Sequence, residues 1–417
     1  MHISTLDIFR CPYCGGRLDL VRSLFHRTSS AGGDEIEDGI LGCECCTFPV
    51  IAGIPVLHLQ GQATVARDEV QAGQPDRALL TMAGVEEAQR AQFEATIQSD
   101  TCTYRDVVDA LGPNFEGGYF LYRFSDPTYV VADAVVRAVA RTVLHSQRRA
   151  IDVCGGSGHL TRSLLDLSSP APVIADLFFA KIWLARRFTA PGCEAVCCDG
   201  NAPLPFARGA FGFAMCSDAF MYIWTKRLLV GEMVRLIDGD GEPGAVVISH
   251  AHNERMWSPS HGQPLSPEGY HALFETIAPR TFGEAGLFAD LISGGPLNLA
   301  RHDSAEALDA DPALTIIASR HPRVFAPHPL ELPRPPLGEY RVSPLYVEQS
   351  DGERVRLRLR FPDDDYEQEF GACRQYLPDE AVVDKAAMAA LSTGHLPPAL
   401  AELVRRRVIL DLPKRYY

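Results

Sequence analysis

Residues 149–166, RAIDVCGGSGHLTRSLLD, lead from a short apolar run through a loop into a helical pattern. The run predicts a strand ending near Asp152. The loop holds Gly155, Gly156 and Gly158, and a helix is expected from about His159. Glycine adopts backbone angles closed to other residues and lets a ligand approach the main chain without meeting a Cβ. A glycine loop between strand and helix binds nucleotides, but several cofactor classes use that shape. The surroundings of the loop therefore decide the reading.

Downstream the pattern alternates. PVIADLF, CEAVCCD, FGFAMCSDAF and GAVVISHAH are strand-like; AKIWLARRF and WTKRLLVGEMVRLI are helical. Short apolar runs spaced by helical stretches of about ten residues predict a parallel sheet covered on both faces. PEGYHALFETI, the segment near FADLI and LTIIASR are expected to complete it by about residue 320. Ahead of the loop, SDPT can start a helix, with Ser125 or Asp126 as N-cap and Pro127 in the first turn. The expected fold class is α/β: a doubly wound, mostly parallel, Rossmann-like sheet of seven strands.

The 417 residues exceed one ordinary core, at roughly 100–200 residues per domain. Four units are expected: 1–60, a cysteine-bearing ribbon; 61–118, a helical connector; 119–322, the sheet domain; and 323–417. The last is a C-terminal α+β extension made of a Pro-rich linker, a β-hairpin about SDGE (350–353) and a helical tail. No internal repeat is visible. Hydrophobic content of 46% and charged content of 22% are globular values. Lys+Arg 39 against Asp+Glu 53 leaves a net charge of −14, which lacks the field that holds a phosphate backbone. Nucleic acid is therefore a poor first candidate for a partner. No run of about 18 apolar residues occurs, so no membrane span is expected. MHISTLDIFRCPYC lacks the pattern of a signal peptide, and a cytoplasmic protein with reduced thiols is expected.

Cys11 and Cys14, and again Cys43 and Cys46, are spaced C-x-x-C. Two such turns supply four soft ligands to one ion, a closed structural zinc site with no position left for water. Binding energy then substitutes for a core that about 60 residues barely provide. Cys45 could replace Cys43 or Cys46, and the pair with x-x spacing is preferred. The stretch CPYCGGRLDL … GILGCECCTFPVIAGIPVL resembles the small zinc-ribbon subunit that activates tRNA, rRNA and release-factor methyltransferases. The likeness lies in CPxC, ILGCECC, Phe48–Pro49 and Gly53-Ile54-Pro55. It implies that a methyltransferase domain follows in the same chain.

Two acids follow the glycine loop. Asp176 ends VIAD, where a carboxylate can accept both ribose hydroxyls of a nucleoside. Asp199 ends AVCCD, where a carboxylate can accept an adenine amino group. Together with Leu204-Pro205-Phe206 and Phe211, these residues resemble the class I S-adenosylmethionine-dependent methyltransferases. Cys154 stands where that family has its first glycine, and Gly212 where it has an Asp. The resemblance implies S-adenosylmethionine as cofactor. Its contacts would be Arg123, Asp152, Gly156, Gly158, Asp176, Asp199, Gly200 and Ser217, with Arg123 meeting the carboxylate.

Methyl transfer to a hydroxyl, phenol or amine is helped by a base. His250 and His252 end the fifth strand-like run, and alternation would turn both to one side with Ala251 opposite. Either is a candidate general base, with His261 a lesser one. His159, at the expected helix start, reads as a cap or packing residue; Tyr119, Phe120 and Trp224 could line an acceptor pocket, with core packing the preferred reading. Arg405, Arg406 and Arg407 read as a solvated helix face. The expected acceptor is a small molecule, such as a specialised metabolite or a sugar. RNA or protein is the alternative, as is use of the cofactor for chemistry other than methyl transfer. The C-terminal hairpin and tail are expected to cover the pocket or to form a homodimer contact.

Overall fold

The alternating segments pair into one seven-stranded sheet in the order β6-β7-β5-β4-β1-β2-β3. Its strands are β1 (Arg149–Val153), β2 (Val173–Asp176), β3 (Glu194–Cys197), β4 (Phe211–Ser217), β5 (Ala245–His252), β6 (Pro279–Gly283) and β7 (Ala313–Ser319). β1 to β5 run parallel, while β7 is antiparallel to both β5 and β6. The computed structural model describes residues 1–21, 26–28, 34–112, 115, 119–144, 148–239, 241, 243–258, 262–330, 333–391 and 396–417.

Strand alternation divides the core between two faces. Ala150, Ile174, Phe213, Met215 and Val247 pack with helices α1 (Pro127–Val143) and α2 (Phe179–Leu184). Ile151, Val173, Ala214 and Val246 pack on the other side with α3 (Lys226–Ile237). α1 starts as its sequence predicts: Asp126 is the N-cap, accepting from Tyr129 N at 2.6 Å, and Pro127 takes the first turn.

Strands Ile36–Gly42, Thr47–Ile51 and Ile54–Pro55, with the short Asp19–Leu20 and Arg27–Thr28, form the N-terminal antiparallel ribbon. It joins the large sheet at β3. Val56 bridges Cys197 in parallel, and Leu57 N donates to Cys197 O at 2.7 Å. Phe9, Leu41 and Phe48 share one core with Val196 and Phe206. The ribbon thus pairs and covers a strand edge that would otherwise be open. Helices Gln62–Gln71, Pro75–Ala83, Glu87–Gln98 and Tyr104–Leu111 follow. At the far end, Tyr346–Asp351 and Arg354–Leu359 form the hairpin about Gly352, extended by Glu380–Asp384. Among the described residues, no helix is long and apolar enough to cross a membrane.

Four sequence expectations are corrected. FADLI lies in a helix, α4 (Glu284–Ser293), and the sixth strand is PRTFG. The apolar residues Leu287, Phe288, Leu291 and Ile292 have helical spacing, while Pro279 opens an edge strand, where proline is tolerated. HLTRSLLDL makes only a 3-10 turn, Thr161–Leu164. There the Thr161 and Ser163 hydroxyls bond to Asp152 and Asp133 at 2.6 Å each. The tail is not helical throughout: Ile409–Leu412 is a strand paired with Glu339–Val342. Nor are all its arginines solvated, since Arg406 donates to Tyr376 O and Arg407 to Phe124 O.

Candidate functional site

The strand order reverses between β1 and β4, and the crevice at their carboxyl ends is where open α/β sheets bind ligands. On one side lies the glycine loop. Gly156 has φ 55 and a Cβ there would meet nothing within 4 Å, so its bare backbone borders open space. Gly158, φ 78, is required for packing: a Cβ would come within 2.6 Å of Ala185 Cβ. Gly156 N donates to Asp176 Oδ2 at 2.9 Å and Phe178 N to Asp176 Oδ1 at 2.8 Å, which ties the loop to the tip of β2. Burial raises the Asp176 pKa, with these N–H donors opposing the rise. Asp152 lies beneath the loop, pushed up to about 7 by burial, with Thr161 Oγ1 donating to it.

Asp199 follows β3. Its Oδ1 accepts from Asn201 N at 2.8 Å and its Oδ2 from Gln60 Nε2 at 2.9 Å, so the ribbon's trailing segment reaches this acid. A Cβ on Gly200 would lie 3.2 Å from Cys154 Sγ, which marks how closely the two loops approach. Trp224, for which core packing is the preferred sequence reading over lining an acceptor pocket, is 74% exposed beside this loop, its N donating to Asn201 Oδ1 at 2.7 Å.

The other side of the crevice is ionic. Arg123 is buried with Asp126 Oδ2 at 3.3 Å and Asp218 Oδ2 at 2.9 Å, so its guanidinium serves the tip of β4. Ser217 Oγ accepts from Ser249 Oγ at 2.8 Å. A register shift between Ile248 and Ala251 breaks the simple alternation of β5, and His250 and His252 still meet, their rings perpendicular and 5.4 Å apart. His250 Nδ1 is 2.8 Å from Glu284 Oε2, and its backbone N donates to Glu284 Oε1 at 2.7 Å. Burial would lower the His250 pKa, but the carboxylates of Glu284 and Asp218 outweigh it and raise it to about 9. His252 moves the other way, held below its ordinary value by burial and by the charge on His250. The surroundings thus divide the pair, favouring the protonated form of His250 and disfavouring that of His252. His261 lies outside the described residues. His159 is a packing residue, its ring stacked on Phe120 and its Nε2 2.6 Å from Tyr416 Oη, with burial lowering its pKa to about 3.

In the ribbon, the sulfurs of Cys11, Cys14, Cys43 and Cys45 all lie within 4.8 Å of one another. Cys45, not Cys46, completes the set, at 3.7 Å from Cys11 and 3.5 Å from Cys43. Cys43 N donates to Cys46 O at 3.0 Å, and the tip of the turn so closed carries Cys45 into the cluster. Four converging thiols fit a single tetrahedral ion.

No family model matches the sequence, and no curated protein matches it. Among solved structures the chain is similar to an S-adenosylmethionine-dependent methyltransferase of Mesorhizobium loti, at 15% identity and TM-score 0.34, covering 46% of this chain and 98% of that one. It is also similar to geranyl diphosphate C-methyltransferase of Streptomyces coelicolor A3(2), at 15% identity and TM-score 0.34, covering 46% of this chain and 75% of that one. A third is the complex between the Haloferax volcanii Trm112 methyltransferase activator and a methyltransferase, at 18% identity and TM-score 0.33, covering 47% and 90%.

Sequence reasoning missed Glu284, Gln60 and the part played by Asp218. Glu284 lies 34 residues beyond His250, and no motif links them. Asp218 was visible only as a strand-end acid; its φ of 51 and its contact with Arg123 exist only in the folded chain.

Proposed function

We propose that this chain is an S-adenosylmethionine-dependent methyltransferase acting on a small molecule, with a structural zinc ion in its in-cis ribbon. One observation carries the reading: Gly156 faces open space with its N–H on Asp176, at the rim that also bears Asp199. Each carboxylate oxygen of Asp176 has a lone pair beyond the one its N–H donor takes, which suits the two hydroxyls of an adenosyl ribose. Asp199, one strand further along, would take the adenine amino group. S-adenosylmethionine, when bound, supplies a sulfonium methyl.

The chain's own residues then have separate tasks. The glycine loop admits the nucleoside against its backbone. Asp152 supports the loop from below. Arg123 positions Asp218 instead of meeting the cofactor. Of the candidate bases, His252 is the one whose surroundings favour the neutral ring. The net charge of −14 supports a small acceptor over RNA. The four thiols of the ribbon would hold Zn2+ as a closed site and so keep its docking surface against β3 in shape.

Calorimetric titration tests the reading. S-adenosylmethionine and its demethylated product should bind saturably and NAD should not, and Asp176→Ala should weaken the donor by roughly tenfold or more, about 1.4 kcal/mol. Saturable NAD binding without donor binding would refute the proposal.

A further inference from the structure

We infer that Asp218, His250 and His252 form a binding site for a first-row divalent transition-metal ion at the acceptor end of the crevice. Each residue offers one ligand atom, and these atoms lie within 4.8 Å of one another. Two imidazoles and one carboxylate, with further positions open, suit Fe2+, Zn2+ and their neighbours, whereas Mg2+ and Ca2+ prefer all-oxygen sets. The set is distinct from the thiol cluster of the ribbon in both position and chemistry.

The surroundings of the three residues are those of a prepared site. Each has its other polar atom already engaged. His250 Nδ1 is on Glu284 at 2.8 Å, His252 Nδ1 on Ser258 Oγ at 2.8 Å, and Asp218 Oδ2 on Arg123 at 2.9 Å. Among the described residues that leaves Nε2 of both rings and Oδ1 of the aspartate without a hydrogen-bond partner, and a cation bound there would take the place of the Nε2 proton of His250. A carboxylate behind a histidine fixes its tautomer and ring plane for metal binding. Glu284 is itself held by Thr315 Oγ1 at 2.8 Å.

The backbone supports the same reading. Asp218 and His250 both have φ 51, a left-handed conformation that non-glycine residues adopt rarely and that gathers at functional sites. The irregularity between Ile248 and Ala251 re-aims the end of β5, as bulges beside active sites do. A purely structural ion-pair network would need Arg123, Asp218, His250 and Glu284, but it would not need His252 turned toward the same point.

Only the ion's role in catalysis rests on the methyltransferase reading. In that role the acceptor would present an oxygen donor to the cation, and His252 would be a ligand, not a proton acceptor. The site itself is tested without any methyl donor. Co2+ is titrated into the full-length protein and followed by absorption and by metal content. The expected result is a bound ion without thiolate charge-transfer absorption, in addition to any held by the cysteines. His252→Ala and Asp218→Asn should each lose that ion and keep the thiolate band. Glu284→Gln should retain it with affinity weakened roughly 10–100-fold. Circular dichroism verifies folding, and His252→Gln replaces His252→Ala if the latter does not fold. Co2+ bound only through thiolates in the parent protein, or a second ion retained in both variants, overturns the site. A separate donor titration that failed with the ion bound would remove the methyltransferase reading and leave the metal site standing.

Discussion

Cys154 sits at φ 60, a conformation glycine takes freely and an L-residue enters at roughly 1–2 kcal/mol. Its thiol lies against Gly200, so the side chain has a packing role that the strain opposes. Cys154→Gly and Cys154→Ala both remove the sulfur, but only glycine relieves the angle. In denaturant unfolding Cys154→Gly is expected to be more stable than Cys154→Ala by about 1 kcal/mol, the reverse of the usual order. Alanine matching or exceeding glycine would show that the angle is not strained. Cys45 and Cys46 give a second contrast. Cys45 belongs to the set of four converging thiols and Cys46 does not. Cys45→Ser should release zinc and lower the melting temperature, while Cys46→Ser should keep its zinc, as measured by metal analysis beside thermal unfolding.

The element on which the architecture turns is β3. It is the last strand of the large sheet, and its outer edge is occupied by the chain at Val56 and Leu57. Leu57→Pro would remove the N–H that donates to Cys197 O and leave that carbonyl unpaired at a buried junction. The expected cost is about 1–3 kcal/mol, with concentration-dependent association as the edge is uncovered. Zinc retention should be unaffected, because the cysteines lie in other turns. Unchanged stability would mean that the ribbon docks through side chains alone. Most of the sheet strands could be read from apolar runs, but β6 begins with Pro279 and ends with Gly283, and the apolar run nearest to it, FADLI, belongs to α4.

Long-range closure comes from the C-terminal extension. Tyr416 is 1% exposed, stacks on Tyr104 at 4.8 Å and donates to Phe120 O at 2.7 Å, beside the glycine loop. Arg334 reaches back to Asp133 on α1 at 2.6 Å, where Arg137 is also bound at 2.9 Å. Burial pushes the Asp133 carboxyl up, but the two guanidiniums and the Ser163 hydroxyl outweigh it and hold its pKa well below the usual range. A carboxyl with a depressed folded pKa contributes stability above its unfolded value near about 3.9, and that contribution is lost as pH falls below it. Asp133→Asn should therefore cost about 3 kcal/mol at neutral pH. Urea unfolding of both proteins should show the difference shrinking below about pH 4. A difference constant down to about pH 3 would remove Asp133 from the acid response.

Periodicity, turn residues and cysteine spacing act over a few neighbours, so β1 to β5, the glycine loop, the strand-end positions of its two acids and the clustering of cysteines in the ribbon could be read along the chain. Packing chose what lies far apart in sequence. It paired His250 with Glu284, gave Arg123 to Asp218, brought Cys45 into the thiol set and seated Tyr416 beside His159. Each of these contacts depends on where whole strands and helices settle against one another, and the residues near either partner carry no record of it.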